Sequence, residues 1–225
     1  MTISKLSFLK RSPSLSADEF SSYWRVPHVR ALVEEGGHRE YNRSYVQNLI
    51  LEHRLESTSS VFDGIAQMEI REDVPSTRRF QEDPRYMRSV RPDEEKFLDV
   101  GQCRVVYCTS EAVVDAPAGA HFKLFFMHAA DPQMTRADLA NLLQEIGGSA
   151  RAGMTHHVVD HTKLTSMSDG SPARWPYTAI TEIGVVASTT TSQLNWVSAL
   201  HASISEMRSR PDALEFMTAL ERVIY

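Results

Sequence analysis

The strand and helix signals of this chain come in one order, and that order comes twice. Residues 3–10 alternate, with Ile3, Lys5, Ser7 and Leu9 on one side and Ser4, Leu6, Phe8 and Lys10 on the other, which is the period of a β-strand. Arg11-Ser-Pro-Ser14 turns into a helix over residues 16–33. Ser16 and Glu19 stand at capping-box spacing, and Glu34-Glu-Gly-Gly37 ends the helix on a glycine that suits left-handed backbone. Residues 45–51 and 61–70 are β-rich and joined by a polar hairpin loop, 56–60; residues 76–90 read as a second helix interrupted at Pro84, and 104–109 as a fourth strand. After a linker at 113–119 the pattern restarts. A strand at 121–129 leads to a helix ending at Ile146 before Gly147-Gly148, then strands at 154–161 and 177–187. A helix over 190–208, a short helix over 211–220 and an edge strand at 222–225 complete it.

Each set has the order βαββαβ, and the two lie about 115 residues apart. This predicts an α+β fold of two tandem ferredoxin-like units, residues 1–112 and 119–225. A four-stranded sheet with helices on one face must bury its other face. The simplest partner is the sheet of the other half, which would give an α+β barrel within one chain. A further homodimer is compatible with the same pattern.

Composition excludes several classes. A net charge of -5 leaves no basic footprint for nucleic acid, and Arg78-Arg79 and Arg85, Arg88 and Arg91 are interleaved with acids. No apolar run approaches the ~20 residues of a membrane span, and the N-terminus lacks a signal peptide's apolar core, so a cytoplasmic protein is expected. Cys103 and Cys108 fit neither a Cys-x-x-Cys motif nor a zinc spacing and read as free buried thiols. A glycine-rich dinucleotide fingerprint, a phosphate loop and a Gly-x-Ser-x-Gly elbow are all absent.

The first helix carries the sharpest local signal. Phe20, Trp24, His28 and Leu32 recur at intervals of four and form one stripe. Histidine is the side chain whose ordinary titration lies near neutrality, so His28 in an aromatic stripe is a candidate general acid or base. A satisfied core histidine fits the same pattern. Pro27 removes an amide and is expected to bend or end the helix.

Phe8-Leu-Lys-Arg, Ser16-x-x-x-Phe20-x-x-Tyr23-Trp24-x-x-x-His28, Tyr45-x-Gln47-Asn48, Phe62-Asp63-Gly64 and Glu95-x-Phe97-Leu98-Asp99 together resemble the EthD domain, over roughly residues 3–110. The second half resembles a diverged copy, by element order alone. The resemblance implies a dimeric α+β barrel fold with a ligand cleft between sheet and helices. It also implies a superfamily of cofactor-free monooxygenases, cyclases, isomerases, haem-degrading enzymes, and decarboxylases and dehydratases of aromatic polyketides. Many EthD proteins place an acidic residue after Asp-Gly-x-Ala, where this chain has Gln67.

Candidate catalytic residues are His28, Tyr45 and Asp63. Trp24, Gln47, Asn48, His128, His157 and His161 are candidates for holding substrate. On strand 45–51, Tyr45 and Gln47 share one face and Asn48 lies on the other; on the next strand Asp63, Ile65, Gln67 and Glu69 share a face. Mixed polarity of this kind suits a cavity with a few convergent polar groups. Asp63, before a glycine at a strand entry, equally suits turn chemistry. His157 and His161 share a strand face about 13 Å apart, too far to ligate one metal directly. The expected activity is that of a lyase without cofactor or metal, decarboxylating or dehydrating a phenolic or polyketide-like small molecule. His28 would move the proton, and Tyr45 or Asn48 would polarise a substrate oxygen. A cofactor-free monooxygenase or isomerase, or a binding module without turnover, are the alternatives.

Overall fold

The alternation at the N-terminus is buried on both sides. In the computed structural model, which describes residues 2–51, 62–75, 79–115, 122–129, 151–186 and 214–225, strand β1 (Thr2–Leu9) buries Leu6 and Phe8 on one face and Lys5, Ser7 and Leu9 on the other. Strand β3 (Gly64–Ile70) pairs antiparallel with β1, setting Lys5 opposite Met68. It pairs on its other edge with β2 (Asn42–Ile50), setting Tyr45 opposite the same Met68. Strand β4 (Arg104–Val114) lies beside β1. The order β2-β3-β1-β4 is that of a ferredoxin-like sheet.

By contacts the chain divides into two units. The first comprises residues 2–108, 160–174 and 222–225, and the second residues 109–159 and 175–221. In the second unit, β5 (Phe122–Ala129) lies between β8 (Tyr177–Val186) and β9 (Leu214–Val223), with β6 (Arg151–Val159) on the far edge of β8. Its order, β6-β8-β5-β9, repeats that of the first unit strand for strand. Leu124, Phe125, Phe126, Met127, Ile180 and Ile183 form its core. The first unit is α+β in class; the helices expected in the second at 135–146 and 190–208, and the hairpin loop at 56–60, lie outside the described residues.

The helix of the first unit starts as its sequence requires. The Ser16 hydroxyl accepts from the Glu19 amide at 3.3 Å and Glu19 accepts from the Ser16 amide at 2.8 Å. Helix α1 (Ala17–Tyr23) continues in wider i→i+5 turns over Trp24–His28 and Arg30–Glu35. Pro27 therefore does not end it; the proline is exposed, and the backbone absorbs the missing amide by widening. Gly37 then takes a left-handed φ of 71°. The stripe Phe20, Trp24, His28 and Leu32 is buried throughout.

Four boundaries differ from the sequence expectation. The second helix does not stop at 90: after helical turns at Phe80–Glu82 and Tyr86–Val90 it continues as α2 (Arg91–Phe97), because Pro92 falls in the first helical turn, where no amide is needed. β4 runs on to Val114, into the expected linker. Residues 214–220 belong to a strand and not to a short helix. Paired in register with β5, the segment buries Met217 and Ala219 at the two-residue period. β6 ends at Val159, and His161 stands in a turn, His161–Lys163, capped by the Asp160 carboxylate, which accepts from the Thr162 amide at 3.0 Å. His157 and His161 thus do not share a strand face. Cys103 and Cys108 are free and buried, and burial pushes both thiols up to about 12. Among the described residues no helix is long and apolar enough to cross a membrane.

Candidate active site

The first unit contains a cavity of about 760 Å³. One face of the sheet forms its floor: Lys5, Ser7 and Leu9 of β1, Ala66 and Met68 of β3, and Tyr45 of β2. Trp24, His28 and Leu32 come from the first helix, and Phe80, Tyr86, Arg91 and Glu94 from the second helical segment. Residues 161–170, with Pro172 and Ala173, complete the wall. Two contacts fix that segment. Strand β7 (Thr165–Ser166) pairs with β4, and the Arg91 guanidinium donates to the carbonyls of Met167 and Ser168 at 2.7 Å each.

The first helix approaches the floor closely because β3 begins with glycine. A Cβ on Gly64 would lie 2.6 Å from the Trp24 ring. Trp24 Nε1 donates to the Tyr45 hydroxyl at 3.0 Å, and Gln47 Nε2 donates to the same oxygen at 3.2 Å and to the Trp24 carbonyl at 2.8 Å. The Tyr45 oxygen accepts both bonds, and its own hydrogen has no acceptor among the described residues. Burial, outweighing the two bonds it accepts, raises the Tyr45 pKa, so the phenol keeps that proton for donation.

His28 is oriented from behind. Its Nδ1 lies 2.9 Å from Asp93 Oδ2, and the other Asp93 oxygen accepts from the Tyr23 hydroxyl at 2.7 Å. The imidazole also packs on Phe97, with ring centroids 4.8 Å apart. Burial pushes the Asp93 carboxyl up, but the bonds from His28 and Tyr23 outweigh it and hold the pKa below the ordinary carboxylate value. A carboxylate on Nδ1 leaves Nε2 as the working nitrogen, and Nε2 makes no hydrogen bond among the described residues.

Lys5, Glu94 and His38 also line the cavity. Lys5, buried at 8% exposure, is pushed down to about 8 by desolvation, against the opposing charge of Glu94. Glu94 is buried and accepts from the Tyr86 hydroxyl at 2.7 Å. Desolvation raises it despite the charges of His28, Lys5 and Arg91. Both shifts go toward the uncharged form. His38 bonds through Nδ1 to the Tyr225 hydroxyl, and burial together with the nearby Lys5 and His28 holds it well below the ordinary histidine value, in the neutral state.

The sequence candidates separate on this geometry. His28, Tyr45, Trp24 and His161 line the cavity, His161 as an exposed residue of the rim. Gln47 supports Tyr45 from beside it. Asn48 and Gln67 lie on the opposite face of the sheet, where Asn48 Nδ2 donates to the Ile65 carbonyl at 3.1 Å and to Gln67 Oε1 at 3.3 Å. The position where many EthD proteins carry an acid therefore faces away from this cavity. Asp63 is turned elsewhere too. It accepts from the Arg11 amide at 3.0 Å and pairs with Lys10 at 3.1 Å and Arg11 at 3.3 Å, tying two strand ends together. His157 belongs to the second unit. It is buried between the Ser110 hydroxyl at 2.7 Å and Glu182 at 3.2 Å, and Glu182 and Glu221 pair with Lys123 at 2.6 and 2.5 Å. The backbone of His128 stands opposite Ala179 in that unit. Among the described residues no group of three or more His, Cys, Asp or Glu side chains is placed to hold a metal ion.

Residues 12–101 match the EthD domain family. This part of the chain is an EthD domain. No curated protein matches the chain in sequence. In fold, the chain is similar to an anthrone oxidase-like protein at 8% identity, with a TM-score of 0.57 over 99% of this chain and 93% of that one. Lower similarities are to a candidate monooxygenase from Lactobacillus acidophilus NCFM (10% identity, TM-score 0.49, 99% and 96% covered) and to a chlorite dismutase from Candidatus Nitrospira defluvii (12% identity, TM-score 0.42, 96% and 90% covered).

The EthD domain supplies the helical wall of the cavity, with both members of the His28–Asp93 pair. Lys5 and residues 161–173 lie outside the matched range. Sequence reasoning missed Asp93, Glu94, Lys5 and His38. Lys5 was findable, because it shares the alternating face of Ser7 and Leu9. Asp93 and Glu94 sit in an acidic run, Asp93-Glu-Glu95, that reads as solvated surface until its helix is packed.

Proposed function

We propose that this chain is an enzyme that moves a proton on a small aromatic ketone or phenol held in the cavity of the first unit, with His28 Nε2 as the general base and acid. The observation that carries this reading is the His28–Asp93 pair, whose free ring nitrogen belongs to the wall of a largely apolar cavity. Asp93 holds the imidazole in one orientation and stabilises the imidazolium that forms when His28 takes a proton. Tyr45 donates its hydrogen to the substrate oxygen on which charge develops, a contribution of the oxyanion-hole kind. Aromatic walls from Trp24, Phe80 and Tyr86 suit a flat ring.

For a phenolic or β-keto acid this arrangement supports loss of carbon dioxide, the substrate carbonyl taking the electron pair released and His28 delivering a proton to carbon; for a β-hydroxy ketone it supports loss of water, His28 taking the proton from the carbon next to the carbonyl and delivering it to the departing hydroxyl. That lyase outcome is the leading reading. A second follows from the fold shared with the anthrone oxidase-like protein, since deprotonation of an aromatic ketone by His28 is also the first step toward reaction with oxygen. The test is incubation of the full chain with a panel of phenolic acids and aromatic polyketides, with and without added metals, under air and under nitrogen, read by product mass. Loss of carbon dioxide or water under nitrogen supports the lyase. An added oxygen atom, lost under nitrogen, supports the oxidase. Turnover that persists in His28→Ala overturns the proton-transfer reading.

A further inference from the structure

Among the described residues two lysines, Lys5 and Lys123, are buried, and of these two Lys123 has counter-ions in contact. Lys123 in the second unit touches two carboxylates, at 2.6 and 2.5 Å, and their charges outweigh desolvation and raise its pKa. Lys5 is as buried, at 8% exposure against 6% for Lys123. Its amine makes no hydrogen bond or ion pair among the described residues, and it lines the cavity. Burying an ammonium without a partner is costly, and a lysine so placed is driven toward the neutral amine, which is its nucleophilic form. Around it stand Glu94, whose charge acts on it, and His38, which feels its charge.

We propose that Lys5 is a nucleophile that captures the carbonyl carbon of an aromatic aldehyde or ketone as an imine. The neutral amine attacks the carbonyl carbon, a C–N bond forms and the carbonyl oxygen becomes a hydroxyl. That hydroxyl leaves as water, carrying the oxygen and the two amine protons, so one carbonyl compound and one amine give one imine and one water. Glu94 in its acid form delivers a proton to the departing hydroxyl and recovers one from nitrogen. The inference rests on the proposed function only for where the substrate sits. It extends that reading, because a protonated imine is a better acceptor of the electron pair released by decarboxylation than the carbonyl it replaces.

The experiment treats the full chain with 2-hydroxybenzaldehyde, reduces with sodium borohydride, and maps the modified lysines by peptide mass. The expected product is one addition per chain, of the aldehyde mass less one oxygen atom, on the peptide containing Lys5. That site should label at least about 10-fold faster than the exposed Lys96 and Lys163, because burial at the cavity wall favours its neutral, nucleophilic amine. Labelling spread over exposed lysines with Lys5 unmodified, in a chain shown to be folded, would overturn the proposal without recourse to any variant. Lys5→Met should abolish the site-specific label and keep the fold. If Lys5 stays unlabelled while turnover depends on His28, the imine fails and the proton-transfer reading stands. If Lys5 is labelled while His28→Ala turns over undiminished, the imine stands and the proton-transfer reading fails.

Discussion

Replacing Lys5 with methionine should stabilise the protein, and the gain should fade as pH rises. The reasoning starts from the drop of the Lys5 pKa from 10.5 to about 8. Each tenfold change in proton affinity is about 1.4 kcal/mol, so the folded state binds this proton less well than the unfolded chain by ~3 kcal/mol. The sign follows from which state holds the proton. Below about 8 both states are protonated, and the folded state bears the full cost of the buried ammonium. Between about 8 and 10.5 the unfolded chain still binds the proton and the folded one does not, so stability rises with pH across that window. Methionine has a similar reach, no charge and good tolerance of irregular packing. It removes the cost altogether, along with the charge that lowers Glu94. Urea unfolding of both proteins across this range is the assay, read as the difference between them so that the remaining titrating groups largely cancel. The expected gap near neutral pH is up to ~3 kcal/mol in favour of Lys5→Met, closing as pH climbs through the window. A variant no more stable than the parent near neutrality, or a gap that ignores pH, would refute the buried, unpaired ammonium.

Four other substitutions have outcomes that follow from the geometry. His28→Ala should lower kcat by about 10²–10⁴ with an unchanged far-ultraviolet spectrum, and Asp93→Asn should lower it too by releasing the ring; steady-state kinetics on the substrate found by the panel checks both. Asp63→Asn should cost about 1–3 kcal/mol of unfolding free energy, through its bonds to Lys10 and Arg11, while leaving kcat intact. A large loss of kcat in that variant would return Asp63 to the catalytic set. Gly64→Ala drives a methyl to 2.6 Å from the Trp24 ring, so thermal unfolding should show a loss of ~1–3 kcal/mol, and an alanine as stable as glycine would mean that the helix does not lie so close.

Much of this was legible from alternation and spacing. The face Ile3, Lys5, Ser7 and Leu9 was written in the period of β1, and the same four residues line the cavity. The stripe Phe20, Trp24, His28 and Leu32 was readable from the helical period and is buried as that period requires. The partner of His28 was not readable, because Asp93 lies 65 positions away on another helix and the pairing is a product of tertiary packing. Local cues misled in two places. Pro27 was an obstacle on paper, yet a helix can widen around a proline that stays exposed. Asp63 looked catalytic for its residue type, but two neighbouring cations and an amide already occupy its oxygens.

The two halves share a strand order and differ in what they do with a buried lysine, and that difference argues for where the chemistry lies. A unit that keeps this strand order must bury a core, but it need not keep a cavity. In the second unit Lys123 is neutralised by Glu182 and Glu221, and Glu182 also accepts from His157, which in turn meets Ser110. Among the described residues these five form one connected set of partners, so removing one member would strand the others, which is the behaviour of a structural network. In the first unit three polar groups at the cavity are left open. Among the described residues Lys5 has no partner in contact, His28 has one nitrogen satisfied and one free, and Tyr45 has a hydrogen without an acceptor. Groups left unsatisfied at a cavity wall cost stability that a purely structural unit would recover by pairing them. Their presence together on one cavity is what the proposed substrate would complete, with a carbonyl for Lys5 and Tyr45 and a mobile proton for His28.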